Sequence, residues 1–323
     1  MRRSVCALLA VLLCCLAACG LPKQKDPERP VKVAVTRGEA TAVFERYVDV
    51  RATSYKLLNP SLLTAVEFGP VLQIDAGAIA VHKILGTSAP RDALSSTDIT
   101  MTDVHAPRFH EYPLWFVAVV SDDDRGLTRV QVFARESAAM PWALVASPEA
   151  LSADVIPPFA RDSHDALEVL RADEQSGLVA APQQIATTYA QALQDPDSQA
   201  AAEIGEDAFV DEVRSADAEI SALTGVTYEQ TWKPHDVRYV VRTTDGGALV
   251  FATFTRKESY RVKKGVAVDW PDGSPQKAFL GGDLHSQGNL RYYHQVLLYV
   301  PPSGEGKPRA IGQYGGIVDG DGY

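Results

Sequence analysis

The chain has 323 residues, a formal net charge of −10, and 46% hydrophobic against 22% charged residues. That balance is globular and excludes wholesale disorder and collagen-like repeats. The four cysteines, Cys6, Cys14, Cys15 and Cys19, all fall within the first twenty residues. The rest of the chain therefore has no disulfide, cysteine zinc site, iron–sulfur cluster or thiol nucleophile to offer. The length suits one large domain or two small ones, either able to bury a core without staples.

Arg2 and Arg3 precede an unbroken small and apolar run, Val5 to Ala18. Its 14 residues are too few for a comfortable helical span, which needs about 20. A basic start, a short apolar stretch and small residues at its end form a secretory signal. The segment Leu16-Ala17-Ala18-Cys19 resembles the lipobox of bacterial lipoproteins. That resemblance implies a signal peptide over 1–18, cleavage before Cys19 and a diacylglycerol thioether on the Cys19 sulfur. With a second acyl group the anchor becomes stable, where one chain binds only marginally. The expected location is the outer face of the cytoplasmic membrane.

Residues 19–36 hold Pro22, Pro27 and Pro30 and form an expected flexible tether. Including Arg37, this stretch has five basic side chains against Asp26 and Glu28. It suits a solvated linker or contact with anionic headgroups. The body beyond it is strongly acidic, which disfavours nucleic acid as a partner.

From Ala40 to Val48 the apolar residues Ala40, Val43, Phe44, Tyr47 and Val48 follow one helical face. Asn59-Pro60 breaks this helix, a second pattern covers Leu62–Phe68, and Gly69-Pro70 breaks that. A third covers Val71–Leu85 and stops at Gly86. Strand patterns follow at Asp98–Val104, Leu114–Val120, Thr128–Arg135 and Trp142–Ala146, with a turn at Asp122-Asp123-Asp124-Arg125-Gly126. Asp162 to Pro182 is mostly polar, with a short helix-like piece at Ala166–Leu170. Further helices are expected around Ile185–Leu193 and Phe209–Leu223. Strands are expected at Thr227–Trp232, Val237–Arg242, Ala248–Tyr260, Tyr292–Val300 and Arg309–Val318. Asp245-Gly246-Gly247 and Ser303-Gly304-Glu305-Gly306 are hairpin signals.

The fold class is α+β. Helices followed by antiparallel strands occur twice, and this order resembles two tandem cystatin-like cones of the nuclear transport factor 2 type. The resemblance implies helices packed into curved antiparallel sheets, with a first domain over 37–160, a linker over 161–182 and a second domain over 183–323. The alternative is one mixed α+β domain with a larger sheet. Across its whole length the chain also resembles two-domain lipoproteins of high-GC Gram-positive bacteria, a family that brings no activity with it.

No motif for catalysis, a cofactor or a metal emerges. His82, His105, His110, His164, His235, His285 and His294 show no metal-ligand spacing, and His110-Glu111 lacks the second histidine of a zincin helix. No G-x-S-x-G elbow, S-x-x-K or phosphate-binding glycine loop stands in a suitable context. Gly281-Gly282, Gly315-Gly316 and Asp319–Gly322 look like turns and a disordered tail. Asp319, Asp321 and Gly322 match only the opening of a calcium loop. Asp122-Asp123-Asp124 is a solvated turn by default. The acidic run Glu203, Glu206, Asp207, Asp211, Glu212, Asp217 and Glu219 is a solvated helix face. Arg256, Lys257, Arg261, Lys263 and Lys264 form a basic patch suited to that face or to an anionic envelope polymer. The cone type also hosts isomerases and dehydratases, which need a base and a donor inside an apolar mouth. Tyr112, Asp103, Tyr239 and His294 are the candidates, while Trp115, Phe116, Phe251 and Phe254 belong to the core. The expected function is a non-enzymatic binding or assembly module of the cell envelope, with an envelope protein as partner. A carrier of a small apolar ligand and a cryptic enzyme are the alternatives.

Overall fold

Thr36 starts the first helix, α1 (Arg37–Leu57), where its hydroxyl accepts the Glu39 N–H at 3.3 Å. Such a cap satisfies one of the orphan donors of a helix start. Leu58 ends the helix in the left-handed region, and Pro60 opens a 3-10 turn, Pro60–Ala65. The helical pattern over Leu62–Phe68 is thus mostly this tighter turn. Pro70 opens α2 (Pro70–Leu85), and Gly86 closes it at φ 66°, a conformation that costs glycine nothing. The computed structural model describes residues 31–89, 99–123, 125–150 and 153–322. The expected signal peptide, Cys19 and most of the tether lie outside the described residues.

Strands β1 (Ile99–His105), β2 (Leu114–Asp122), β3 (Leu127–Arg135), β4 (Ala143–Ala146) and β5 (Glu149–Ala150) form one antiparallel sector. Helices α3 (Pro182–Gln194), α4 (Gln199–Glu203) and α5 (Ala208–Ser221) come next. Then follow β6 (Val226–Pro234), β7 (Val240–Arg242), β8 (Ala248–Val262), α6 (Pro275–Leu280), β9 (Gln287–Val300) and β10 (Arg309–Gly322). The fold class is α+β. These ten strands belong to one sheet, in the order β1-β2-β3-β5-β10-β9-β8-β6, with β4 beside β3 and β7 beside β8, while Lys32–Val33 and Arg108–Phe109 pair as a separate two-stranded sheet.

This topology departs from two domains joined by a linker. From Val33 onward the chain is one compact unit, the architecture held as the alternative. The two sectors meet where Glu149 of β5 pairs with Gln313 of β10. The segment expected as a linker is woven in: Val169 bridges Val241, Leu178 bridges Pro302, and Arg242 N–H donates to the Glu168 carbonyl at 3.0 Å. Ala166–Leu170 is extended because its backbone groups pair with β7, not with each other.

The sheet turns its two faces to different neighbours. In the first sector Phe116, Ala118, Val120 and Phe133 pack under Phe44, Tyr47 and Val48 of α1. In the second, Val250, Ala252 and Phe254 pack under Tyr189 of α3 and Phe209 of α5. The alternate residues, Trp115, Val117, Val130 and Val132 on one side and Tyr239, Leu249, Phe251 and Leu297 on the other, share a third cluster. The layers therefore run helices, sheet, sheet, helices. Both faces of β2 are buried, which accounts for its unbroken apolar run. Each fully buried side chain of this kind contributes about 1.5–3 kcal/mol. Gln295 fastens the layers: its carboxamide oxygen accepts Ser147 N–H at 2.9 Å and its Nε2 donates to the Val145 carbonyl at 2.8 Å.

Strand β10 corrects the expectation of turns and a disordered tail. Gly312, Gly315, Gly316 and Gly320 lie within it, paired with β9 as far as Gly322. Glycine is needed there for close approach. A Cβ at Gly312 would stand 2.8 Å from the Glu149 carbonyl oxygen, and one at Gly315 would stand 2.5 Å from His294 Nδ1. The approach is closest at Gly77 of α2, where a Cβ would come 2.1 Å from the Ile317 carbonyl oxygen.

A buried polar cluster secures that helix. Asp75 of α2 accepts Arg51 Nε at 2.9 Å and Tyr55 OH at 3.3 Å from α1, and also Tyr314 OH from β10. Burial opposes ionisation of Asp75, but the Arg51 charge, with the hydrogen bonds from Tyr314 and Arg51, outweighs it and holds its carboxyl below the usual range. Glu67 takes the other role. Burial, then the Asp75 charge, push its carboxyl well above the carboxylate range. It stays protonated, since two adjacent buried carboxyls cannot both ionise.

Gly77→Ala should lower stability by roughly 1–3 kcal/mol, seen as a lower urea midpoint. An unchanged midpoint would mean that α2 stands free of β10. For Glu67, the folded state holds its proton to higher pH than the unfolded chain. Its contribution is complete below the ordinary value of about 4.5 and declines as pH rises toward the folded value. Glu67→Gln cannot ionise and keeps nearly the same shape. Its denaturation midpoint should match that of the wild type near pH 4 and exceed it increasingly toward pH 8. Parallel curves for the two proteins would refute a buried neutral Glu67.

Candidate functional site

An open groove of about 1000 Å³ runs along the seam of the two sectors. Its floor is apolar, with Ile156, Pro158, Phe209 and Ile311 among the lining residues. Its carboxylates fall into two groups. Asp207, Asp245 and Glu149 are used by the fold itself. Asp207 caps α5 by accepting Val210 N–H at 2.8 Å, and also accepts Tyr189 OH and, at 2.9 Å, Ala310 N–H of β10. Asp245 accepts Thr243 OH, Gly247 N–H and, at 2.8 Å, Tyr299 OH. Burial opposes ionisation of Asp245, yet these hydrogen bonds keep its carboxyl below the usual range. Glu149 is paired with Arg125 and Arg129 at 3.0 Å.

Asp154, Glu206, Glu212 and Glu305 also line the groove, and no hydrogen bond or ion pair engages their carboxylates among the described residues. Arg309 is the basic residue of the lining, and its guanidinium lies 5.2 Å over the Tyr299 ring. The groove is therefore an apolar trough with unneutralised negative charge. Glu206, Asp207 and Glu212 belong to the acidic run, whose solvated-face reading misses this. Asp154 and Glu305 come from other segments, and no local spacing in the chain announces their meeting.

Other charged groups singled out in the sequence are held inside. Asp122 is buried and accepts Arg129 Nη2 at 3.2 Å, so it is not part of a solvated tip. Arg256 leaves the basic patch for the interior. It pairs with Glu258, accepts no solvent-facing role, and lies 5.4 Å over Trp232 and 5.1 Å over Tyr292. Glu258 also accepts Tyr228 OH at 3.1 Å, Tyr260 OH at 2.6 Å and Tyr292 OH at 2.8 Å. A buried arginine and carboxylate with this many partners are a structural fastener.

The acid–base candidates do not converge. Tyr112 is exposed. Asp103 pairs with His105 Nε2 at 3.1 Å on the edge strand β1. Tyr239 lies between the sheet sectors, with its hydroxyl unpartnered and its ring 5.4 Å from Trp115. His294 is on the opposite face, 5.4 Å from Phe209 and 5.0 Å from Trp232, with both ring nitrogens unpartnered. Burial, then repulsion from Arg256, push its imidazole down to about 3, so it is neutral at pH 7. No group of three or more His, Cys, Asp or Glu side chains stands ready for a metal among the described residues. No helix among them is long and apolar enough to cross a membrane.

Two relatives are similar to this chain along most of their length. An uncharacterised lipoprotein of Streptomyces avermitilis is 26% identical over 294 residues, covering 87% of this chain and 84% of the relative. An uncharacterised lipoprotein of Streptomyces coelicolor is 25% identical over 308 residues, covering 91% and 88%. No solved structure matches the chain, so the likeness to tandem cones finds no support there. The model of one family, described as a domain of unknown function, spans residues 31–322. That span takes in every helix and strand described above, and the chain belongs to this family, DUF8094.

Proposed function

We propose that the protein is an extracytoplasmic lipoprotein, anchored through Cys19, whose body binds a basic segment of an envelope protein along the seam groove. The groove carries this reading. Its floor offers apolar contact, its four free carboxylates favour a cationic partner, and its open form suits an extended segment better than an enclosed small molecule. The anchor is supported by Leu16-Ala17-Ala18-Cys19 and by the lipoprotein names of both relatives. A non-enzymatic role fits the separation of Asp103, Tyr239 and His294. A carrier of an enclosed, wholly apolar molecule fits less well, because Tyr189, Phe209 and Phe254 fill the core of the second half.

Labelled palmitate supplied to producing cells should mark the wild-type protein and leave Cys19→Ala unmarked. An unmarked wild type removes the anchor. For the groove, a fluorescent peptide alternating lysine with leucine should bind the protein in low salt and dissociate as salt rises. Neutralising Asp154, Glu206, Glu212 and Glu305 to their amides should weaken binding at least tenfold. Equal affinity in that variant removes the groove as the docking surface.

A further inference from the structure

A second cavity has the opposite electrostatic character. It is a notch of about 210 Å³ in the first sector, between α1 and β3. Its walls include Tyr47, Val66, Phe133 and Trp142, all buried. Arg46 and Arg135 also line it. Neither guanidinium meets a carboxylate among the described residues; both are held by backbone carbonyls. Arg135 donates from Nε to Met140 O at 2.8 Å and from Nη2 to Ala138 O at 2.6 Å, and Arg46 Nη2 donates to Ala65 O at 3.4 Å. In a chain of net charge −10, two arginines without a counter-charge at one small cavity call for an anion.

Tyr47 points the same way. It is 4% exposed, and its hydroxyl has no hydrogen-bond partner among the described residues. Burial holds its hydroxyl well above the ordinary tyrosine range, so it remains a donor. The two carboxyl groups behind it add no unmatched charge: Asp75 is matched by Arg51, and burial keeps Glu67 protonated. Glu39 accepts Trp142 Nε1 at 3.0 Å, a neutral donor that leaves the Glu39 charge uncancelled, so binding of an anion relies on the two guanidinium groups to outweigh it. An apolar cavity with a few convergent polar groups is the usual form of a small-molecule site, and paired guanidinium groups match a carboxylate.

We propose that this notch binds a small amphipathic anion, an aryl or short-chain carboxylate. Its apolar part packs among Tyr47, Val66, Phe133 and Trp142, and its carboxylate takes Arg46, Arg135 and the Tyr47 hydroxyl. The volume admits one aromatic ring or a short alkyl chain and excludes a full-length lipid. The site lies in a different part of the fold from the seam groove and does not depend on it.

The test is a titration of the full-length protein in neutral detergent micelles, followed by tryptophan fluorescence, with phenylacetate, hexanoate and the uncharged phenylacetamide. Phenylacetate and hexanoate should give saturable changes, and phenylacetamide should bind at least tenfold more weakly. Arg46→Gln should weaken phenylacetate at least fivefold, and Tyr47→Phe by a smaller factor. Arg135→Lys keeps the charge and should retain most binding, whereas Arg135→Gln should lose it. Trp142→Phe should remove the optical signal while calorimetry still detects binding. The variant with its groove carboxylates neutralised should bind phenylacetate as the wild type does. Equal binding of acid and amide, full binding by a correctly folded Arg46→Gln protein, or no saturable change would each overturn the proposal.

Discussion

The carboxylate of Asp75 is where the fold is tied together. It gathers Arg51 and Tyr55 from α1 and Tyr314 from β10, beside the protonated Glu67. A buried charge is tolerated only with an opposite charge and hydrogen bonds around it. Asp75 obtains both only when helices from the first part of the chain meet the last strand. Gly77, two residues further along α2, makes the meeting possible by leaving room for the Ile317 carbonyl. The polar tie fixes the position of α2, and apolar layering around it supplies most of the stability.

The distribution of charge follows the same logic. Arginines in the interior are matched: Arg51 with Asp75, Arg129 with Asp122 and Glu149, Arg256 with Glu258. Each of the two cavities carries unmatched charge, and the signs are opposite. The groove keeps Asp154, Glu206, Glu212 and Glu305, and the notch keeps Arg46 and Arg135. The net negative charge of the chain therefore says little about what any one surface attracts. A single chain presents one acidic trough and one cationic recess.

Much of the local structure was legible in the sequence. The α1 stripe ends at Asn59-Pro60 as its spacing implies, and α2 stops at Gly86. Leu114–Val120 is a strand buried on both faces, and the two hairpin signals lie between β7 and β8 and between β9 and β10. What escaped was set by distant parts of the chain. Ala166–Leu170 has helical spacing but is extended because β7 offers its backbone partners. Gly315 and Gly316 have the composition of a turn, yet both lie in a strand, and Gly315 serves close packing against His294. Arg256 and Asp122 look like surface charges because their local neighbours are charged, while their partners make them interior. The candidate sites were less legible still. Arg46 and Arg135 are far apart in sequence, and only the register of β3 beneath α1 joins them.

The central position of β10 also governs the order in which the molecule can form. It pairs with β9 on one side and meets β5 on the other, and it carries the Tyr314 and Ile317 contacts of α2. The first helices are synthesised well before the strand that seats α2. Loop closure over such separations slows folding. A chain built this way remains incompletely folded until β10 is available to join β9 and α2.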